Sequence, residues 1–162
     1  MNSIYEKNLM ALSQNAQYKI LYEALSDEAG VDLLVSEEDF ICEVTEIEGN
    51  IILYAVKGEK TFQLDSLYSG ARAMDIWFEK QTTLTYKAKC LFCGLGNGMY
   101  VKKILEQAED TVTVCVYEPS IRIFITALQH FDMTSIINST RVTLIVKDLY
   151  EYPASEYIYR YI

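Results

Sequence analysis

The chain has 162 residues, of which 51% are hydrophobic and 23% charged, which places it among globular rather than disordered proteins. Its net charge of −9 argues against nucleic acid or an anionic membrane as partner, since both repel an acidic surface. No apolar run approaches the ~20 residues of a membrane span, and the N-terminus has no apolar signal-peptide core, so the expected location is cytoplasmic.

Residues 2–27 read as one long helix, because Tyr5, Leu9, Leu12, Ala16 and Ile20 recur at spacings of three and four and draw one apolar stripe. Gly30 follows where a helix-ending glycine belongs. From Phe40 the period changes to two: Phe40, Cys42 and Val44 alternate with Ile41, Glu43 and Thr45. Glu48-Gly49-Asn50 is turn chemistry, and residues 51–56 form the return strand. A second turn at Lys57-Gly58-Glu59-Lys60 precedes residues 61–64 and completes a small antiparallel meander. The acidic residues Glu37, Glu38, Asp39, Glu43, Glu46 and Glu48 lack the spacing of a calcium loop and read as a solvated face. Asp65 or Ser66 caps a further helix that reaches Gln81.

The rest of the chain repeats strand and helix. Residues 88–93, 111–117 and 142–146 are apolar strands. Between them lie helices at 99–107, at 121–131 with Ser120 as N-cap, and at 134–137. Apolar strands separated by helices indicate a parallel sheet covered on both faces. The expected fold is therefore α/β: a Rossmann-like three-layer core with parallel strands in order 3-2-1, preceded by an N-terminal helix and a small antiparallel β meander. The expected division is residues 1–85 as the extension and 86–162 as the core, packed as one body, since no Pro/Gly/Ser-rich linker separates them. Three parallel strands are few for a doubly wound sheet, and the expectation is a chain that continues past Ile162.

Residues 90–100, Cys-Leu-Phe-Cys-Gly-Leu-Gly-Asn-Gly-Met-Tyr, organise the chain as strand, glycine turn and helix. The glycines supply positive φ and close approach to a ligand, and the helix that follows offers unpaired N–H groups to an anion. Glu118, twenty residues past Gly98, ends the second strand, where an acidic residue commonly accepts hydrogen bonds from ribose hydroxyls. As an exposed strand-end group it would matter little for stability. Asp148 ends the third strand. Ligands of open α/β sheets bind beyond the carboxyl ends of the strands, so the candidate cofactor-binding residues are Gly94, Gly96, Asn97, Gly98, Glu118 and Asp148.

The G-x-G-x-G spacing departs from the dinucleotide fingerprint G-x-G-x-x-G. It is closer to the S-adenosylmethionine loop of Rossmann-like methyltransferases, although Phe92 stands where those carry an acid. S-adenosylmethionine and a nucleotide both stay open as cofactor, as does a glycine turn that only lets strand and helix pack. No residue is assigned a catalytic role or a metal: no G-x-S-x-G elbow occurs, no P-loop occurs, and His130 is the single histidine. Cys90-x-x-Cys93 has redox or half-zinc spacing, but on a strand expected to be buried both read as small hydrophobes. Lys102 and Lys103 follow the turn on what reads as an exposed helix face.

The order of several short motifs resembles the N-terminal region of the motility-associated factor (Maf) flagellin glycosyltransferases. The motifs are Tyr5-Glu-Lys-Asn-Leu9, Leu67-Tyr-Ser69 with its helix to Gln81, Phe92-Cys-Gly-Leu-Gly-Asn-Gly98, Val116-Tyr-Glu-Pro119, and Arg141-Val-Thr-Leu-Ile-Val146 before Asp148. The resemblance implies a larger protein, in which a separate central domain transfers activated nonulosonic acids, such as pseudaminic acid, to Ser/Thr of flagellin. It implies a non-catalytic module of recognition or assembly here, with flagellin and the rest of its own chain as partners, and oligomerisation. Gly94, Gly96, Gly98 and Glu118 carry over; no transferase residue does.

Overall fold

The computed structural model describes residues 3–47, 49–64, 70–147 and 149. The chain opens with three short helices, α1 (Ser3–Gln14), α2 (Lys19–Ser26) and α3 (Glu28–Ser36), with a 3₁₀ turn at Ala16–Tyr18. The single helix expected over residues 2–27 is thus broken at Asn15. Its backbone is extended (φ −93°, ψ 112°) and its side-chain oxygen accepts from the Gln17 N–H at 3.0 Å. Asparagine offers this local bond in competition with helix continuation. Its amide nitrogen donates to the Ile137 carbonyl at 2.7 Å, so a distant contact fixes the break. A second break falls at Asp27, whose carboxylate caps α3 by accepting from the Gly30 N–H. Gly30 therefore lies in the first turn of a helix and does not end one.

The meander is β1 (Ile41–Ile47), β2 (Asn50–Lys57) and β3 (Lys60–Gln63), antiparallel in that order. Its two turns carry Gly49 at φ +79° and Gly58 at φ +59°, the left-handed conformation that tight hairpins demand. The cap expected at Asp65 or Ser66 lies outside the described residues; the helix itself is α4 (Gly70–Glu79).

A separate sheet follows, built from β4 (Lys89–Cys93), β5 (Thr113–Glu118) and β6 (Val142–Val146). β5 pairs in parallel with both neighbours, and Cys93 stands opposite Tyr117 in the register. The helices between them are α5 (Met99–Gln107), α6 (Ile121–His130) and α7 (Thr134–Ile137). The molecule is mixed α/β. Val114, Val116, Leu144 and Val146 face a core shared with Ile104, Phe124 and Leu128 of the helices and with Leu12 and Leu21 of the N-terminal segment. Coverage of both sheet faces fails at β4, where Lys89, Leu91 and Cys93 are exposed while Cys90 and Phe92 turn inward. β4 is an edge strand among the described residues, and alternate residues point to opposite faces. No described helix is long and apolar enough to cross a membrane.

The first forty residues grip α6 at both ends. Asn8 is fully buried; its amide donates to the Leu128 and Phe131 carbonyls at 2.8 and 2.7 Å and its oxygen accepts from the Met133 N–H at 2.8 Å. These are groups at the end of a helix, which have no partner within it. At the other end the Glu38 carboxylate accepts from the Ser120 hydroxyl and the Ile121 N–H at 2.8 and 2.9 Å. The Tyr18 hydroxyl donates to the Val142 carbonyl at 3.1 Å and accepts from the Leu144 N–H at 3.2 Å, satisfying backbone groups on the β6 edge. Asn8→Ala should orphan two carbonyls and one N–H and lower unfolding free energy by roughly 2–4 kcal/mol, given 1–3 per buried group left unmade. Urea unfolding followed by circular dichroism measures this; a change within error would mean that α1 does not anchor α6.

Candidate functional site

The register of β4 against β5 sets the glycine loop beside the end of β5. Gly94, Gly96 and Gly98 all have positive φ, at +94°, +53° and +74°. The reasons differ along the loop. A Cβ at Gly94 meets nothing within 4 Å, so only the backbone angle requires glycine there. A Cβ at Gly98 would stand 2.8 Å from Ile136 Cδ1 and from Met133 Sδ, so Gly98 serves helix packing. Asn97 accepts from the Met99 N–H at 3.0 Å through its side-chain oxygen, taking one donor at the start of α5.

Glu118 ends β5 as expected but is buried, at 1% exposure. The exposed strand-end position expected for it is therefore corrected. One carboxylate oxygen accepts from the Leu95 N–H at 2.7 Å, the other from the Ser120 N–H at 3.0 Å. A buried carboxylate is tolerated only with such donors, and the loop supplies them. Burial pushes the Glu118 carboxyl above the ordinary value; the N–H groups of Leu95, Ser120 and Gly96 oppose this, and the Glu38 charge adds to it. The loop N–H at Gly94 extends the sheet to the Tyr117 carbonyl at 2.7 Å, and that of Gly98 bonds the Leu95 carbonyl at 2.9 Å. The Gly94, Leu95 and Gly98 N–H groups are thus held by the protein's own oxygens.

The start of α6 is filled in the same way. Ser120 caps it, accepting from the Ile123 N–H at 3.0 Å, and Glu38 adds its carboxylate. Glu38, read from sequence as part of a solvated face, instead docks here, with the Arg122 guanidinium bonded to the Val35 carbonyl at 2.6 Å beside it. Lys103 pairs with Asp75. Burial pushes the Lys102 ammonium down against the opposing charges of Asp132 and Glu106; neither lysine lines the loop.

A cleft of about 390 Å³ opens over the loop, with Gly94, Gly96, Asn97 and Glu118 in its wall. That is the range of small-molecule sites. Gly98 stands behind it, and Asp148 lies outside the described residues. The sequence did not single out Leu64, Tyr100 and Ile123, which complete the wall. Tyr100 is steadied by an edge contact to Trp77 of α4, ring centres 5.0 Å apart, and Trp77 also packs edge-on to Phe92 at 5.6 Å. Cys93, expected to be buried, is exposed in the cleft wall. Cys115 behind it is fully buried, and desolvation raises its thiol to about 11. The apolar wall and the buried carboxylate suit an aromatic ring bearing hydrogen-bond donors. No protein-family model matches the chain, and no curated protein matches it either.

Three outcomes follow from this geometry. Glu118→Ala leaves the Leu95 and Ser120 N–H groups buried without partners and should cost roughly 2–4 kcal/mol of stability, at 1–3 per group. Since the folded pKa of Glu118 lies above 4.5, its contribution to stability is complete below that pH and is lost as pH rises through the folded value. Urea midpoints across pH should show this fall in the parent and not in Glu118→Gln. Gly98→Ala should destabilise more than Gly94→Ala: both meet a left-handed penalty of about 1–2 kcal/mol, and only Gly98 adds a clash.

Proposed function

We propose that this chain is a non-catalytic, ligand-binding module of a Maf-type flagellin glycosyltransferase, with a Rossmann-like core of strand order 3-2-1. In this reading a different part of a longer cytoplasmic protein transfers the nonulosonic acid, and this module serves recognition or assembly with flagellin and with its own chain. The motif order through the chain supports the family. The observation that carries the binding role is the cleft at the carboxyl ends of two parallel strands, floored by a left-handed glycine loop and walled by a buried acid. Parallel pairing of β4, β5 and β6 supports the core.

A methyltransferase-like domain is the second reading, favoured by the G-x-G-x-G spacing together with Glu118 at the end of the second parallel strand. Two measurements separate them. Incubated with flagellin and a nucleotide-activated nonulosonic acid, this chain alone should transfer no sugar; turnover would overturn the module reading. Calorimetric titration with S-adenosylmethionine, S-adenosylhomocysteine, adenosine and adenine nucleotides should find a ligand, and Ile123→Trp, which fills the cleft, should abolish its binding. Methyl transfer to any acceptor protein would favour the second reading.

A further inference from the structure

We propose that the cleft receives a nucleoside-class ligand that carries no phosphate against the glycine loop. The proposal rests on the reading of the cleft as a ligand site. In a parallel α/β sheet a phosphate is met by N–H groups of the loop after the first strand and of the helix N-termini beyond it. Here a donor of each set is engaged from within. The Leu95 N–H is held by Glu118 at 2.7 Å, the Met99 N–H by Asn97 at 3.0 Å, and the Ile121 N–H by Glu38 at 2.9 Å. The side chain that fills the loop is a 1%-exposed carboxylate, so an incoming phosphate meets a like charge where solvent screens it least.

The described cations are placed elsewhere. Among the described residues no lysine or arginine lines the cleft; Lys103 is paired with Asp75, and Arg122 is turned to Glu38 and the Val35 carbonyl. The wall offers instead the apolar surfaces of Phe92, Leu95, Tyr100 and Ile123 to an uncharged ring. A carboxylate has about four acceptor positions. Those that the backbone N–H groups leave unused remain for a ligand hydroxyl.

The test is calorimetric titration of the intact chain with adenosine and S-adenosylhomocysteine against AMP and ADP. The phosphate-free ligands should bind at least about tenfold tighter, since like-charge juxtaposition is strongly disfavoured. The gap should narrow in Glu118→Gln, and should persist at high ionic strength, because salt screens a buried charge little. If that variant does not fold, the ratio of adenosine to AMP affinity on the parent chain decides. AMP or ADP binding as tightly as adenosine, or tighter, would overturn this proposal and leave the cleft reading standing. Binding by no member of the panel would overturn both.

Discussion

A carboxylate taken out of water must be met by hydrogen-bond donors, and Glu118 finds its donors in the glycine loop and in its own following turn. That constraint shapes everything around the cleft. Parallel pairing of β4 and β5 carries the loop to the acid; left-handed glycines let consecutive N–H groups turn toward it; and the turn at Ser120 closes over its second oxygen. The same bonds that build the loop take the Leu95 and Ser120 N–H groups for the protein's own carboxylate. Over the loop lies a largely apolar cleft with the buried Glu118 in its wall.

The second dependency is α6, whose ends are held by residues from the first forty. The ties differ greatly in weight. Lys7 and Asp132 make a 2.5 Å ion pair with both side chains about half exposed, and solvent screening leaves such pairs worth little. Asn8, without solvent contact and with three hydrogen bonds, counts for far more. Glu38 matters twice: it caps α6, and its charge reaches Glu118. The helical N-terminal segment therefore contributes to the site without lining its floor, and Tyr18 extends the grip to the far edge of the sheet.

Much of this was legible in the sequence where local physics decides. The helix Met99–Gln107, the turn Thr134–Ile137 and the strand Val142–Val146 coincide with their periodicity, and Ser120 is the N-cap that its chemistry suggests. Both hairpin glycines fall where turns were read. What escaped depends on partners far along the chain. Asn15 interrupts the apolar stripe read through Ala16 and Ile20, which are exposed, and past it Tyr18 and Leu21 are buried instead; the bond that fixes the interruption reaches Ile137. Glu38 sits among acidic neighbours typical of a wet surface, while its partners lie 82 residues away or more. The position of Glu118 was legible; its burial was not, because only the fold brings the Leu95 N–H to it. Cys93 read as buried because an apolar strand does not announce that one of its faces is open.

The central claim is that a buried Glu118 carboxylate organises the loop, and an NMR titration of its side-chain carboxyl carbon tests it most directly. The account predicts a pKa above the ordinary glutamate value, with the Leu95 and Ser120 amide protons shifting through the same transition. A Glu118 carboxyl that titrates at or below the ordinary value, with those two amides unmoved, would contradict it.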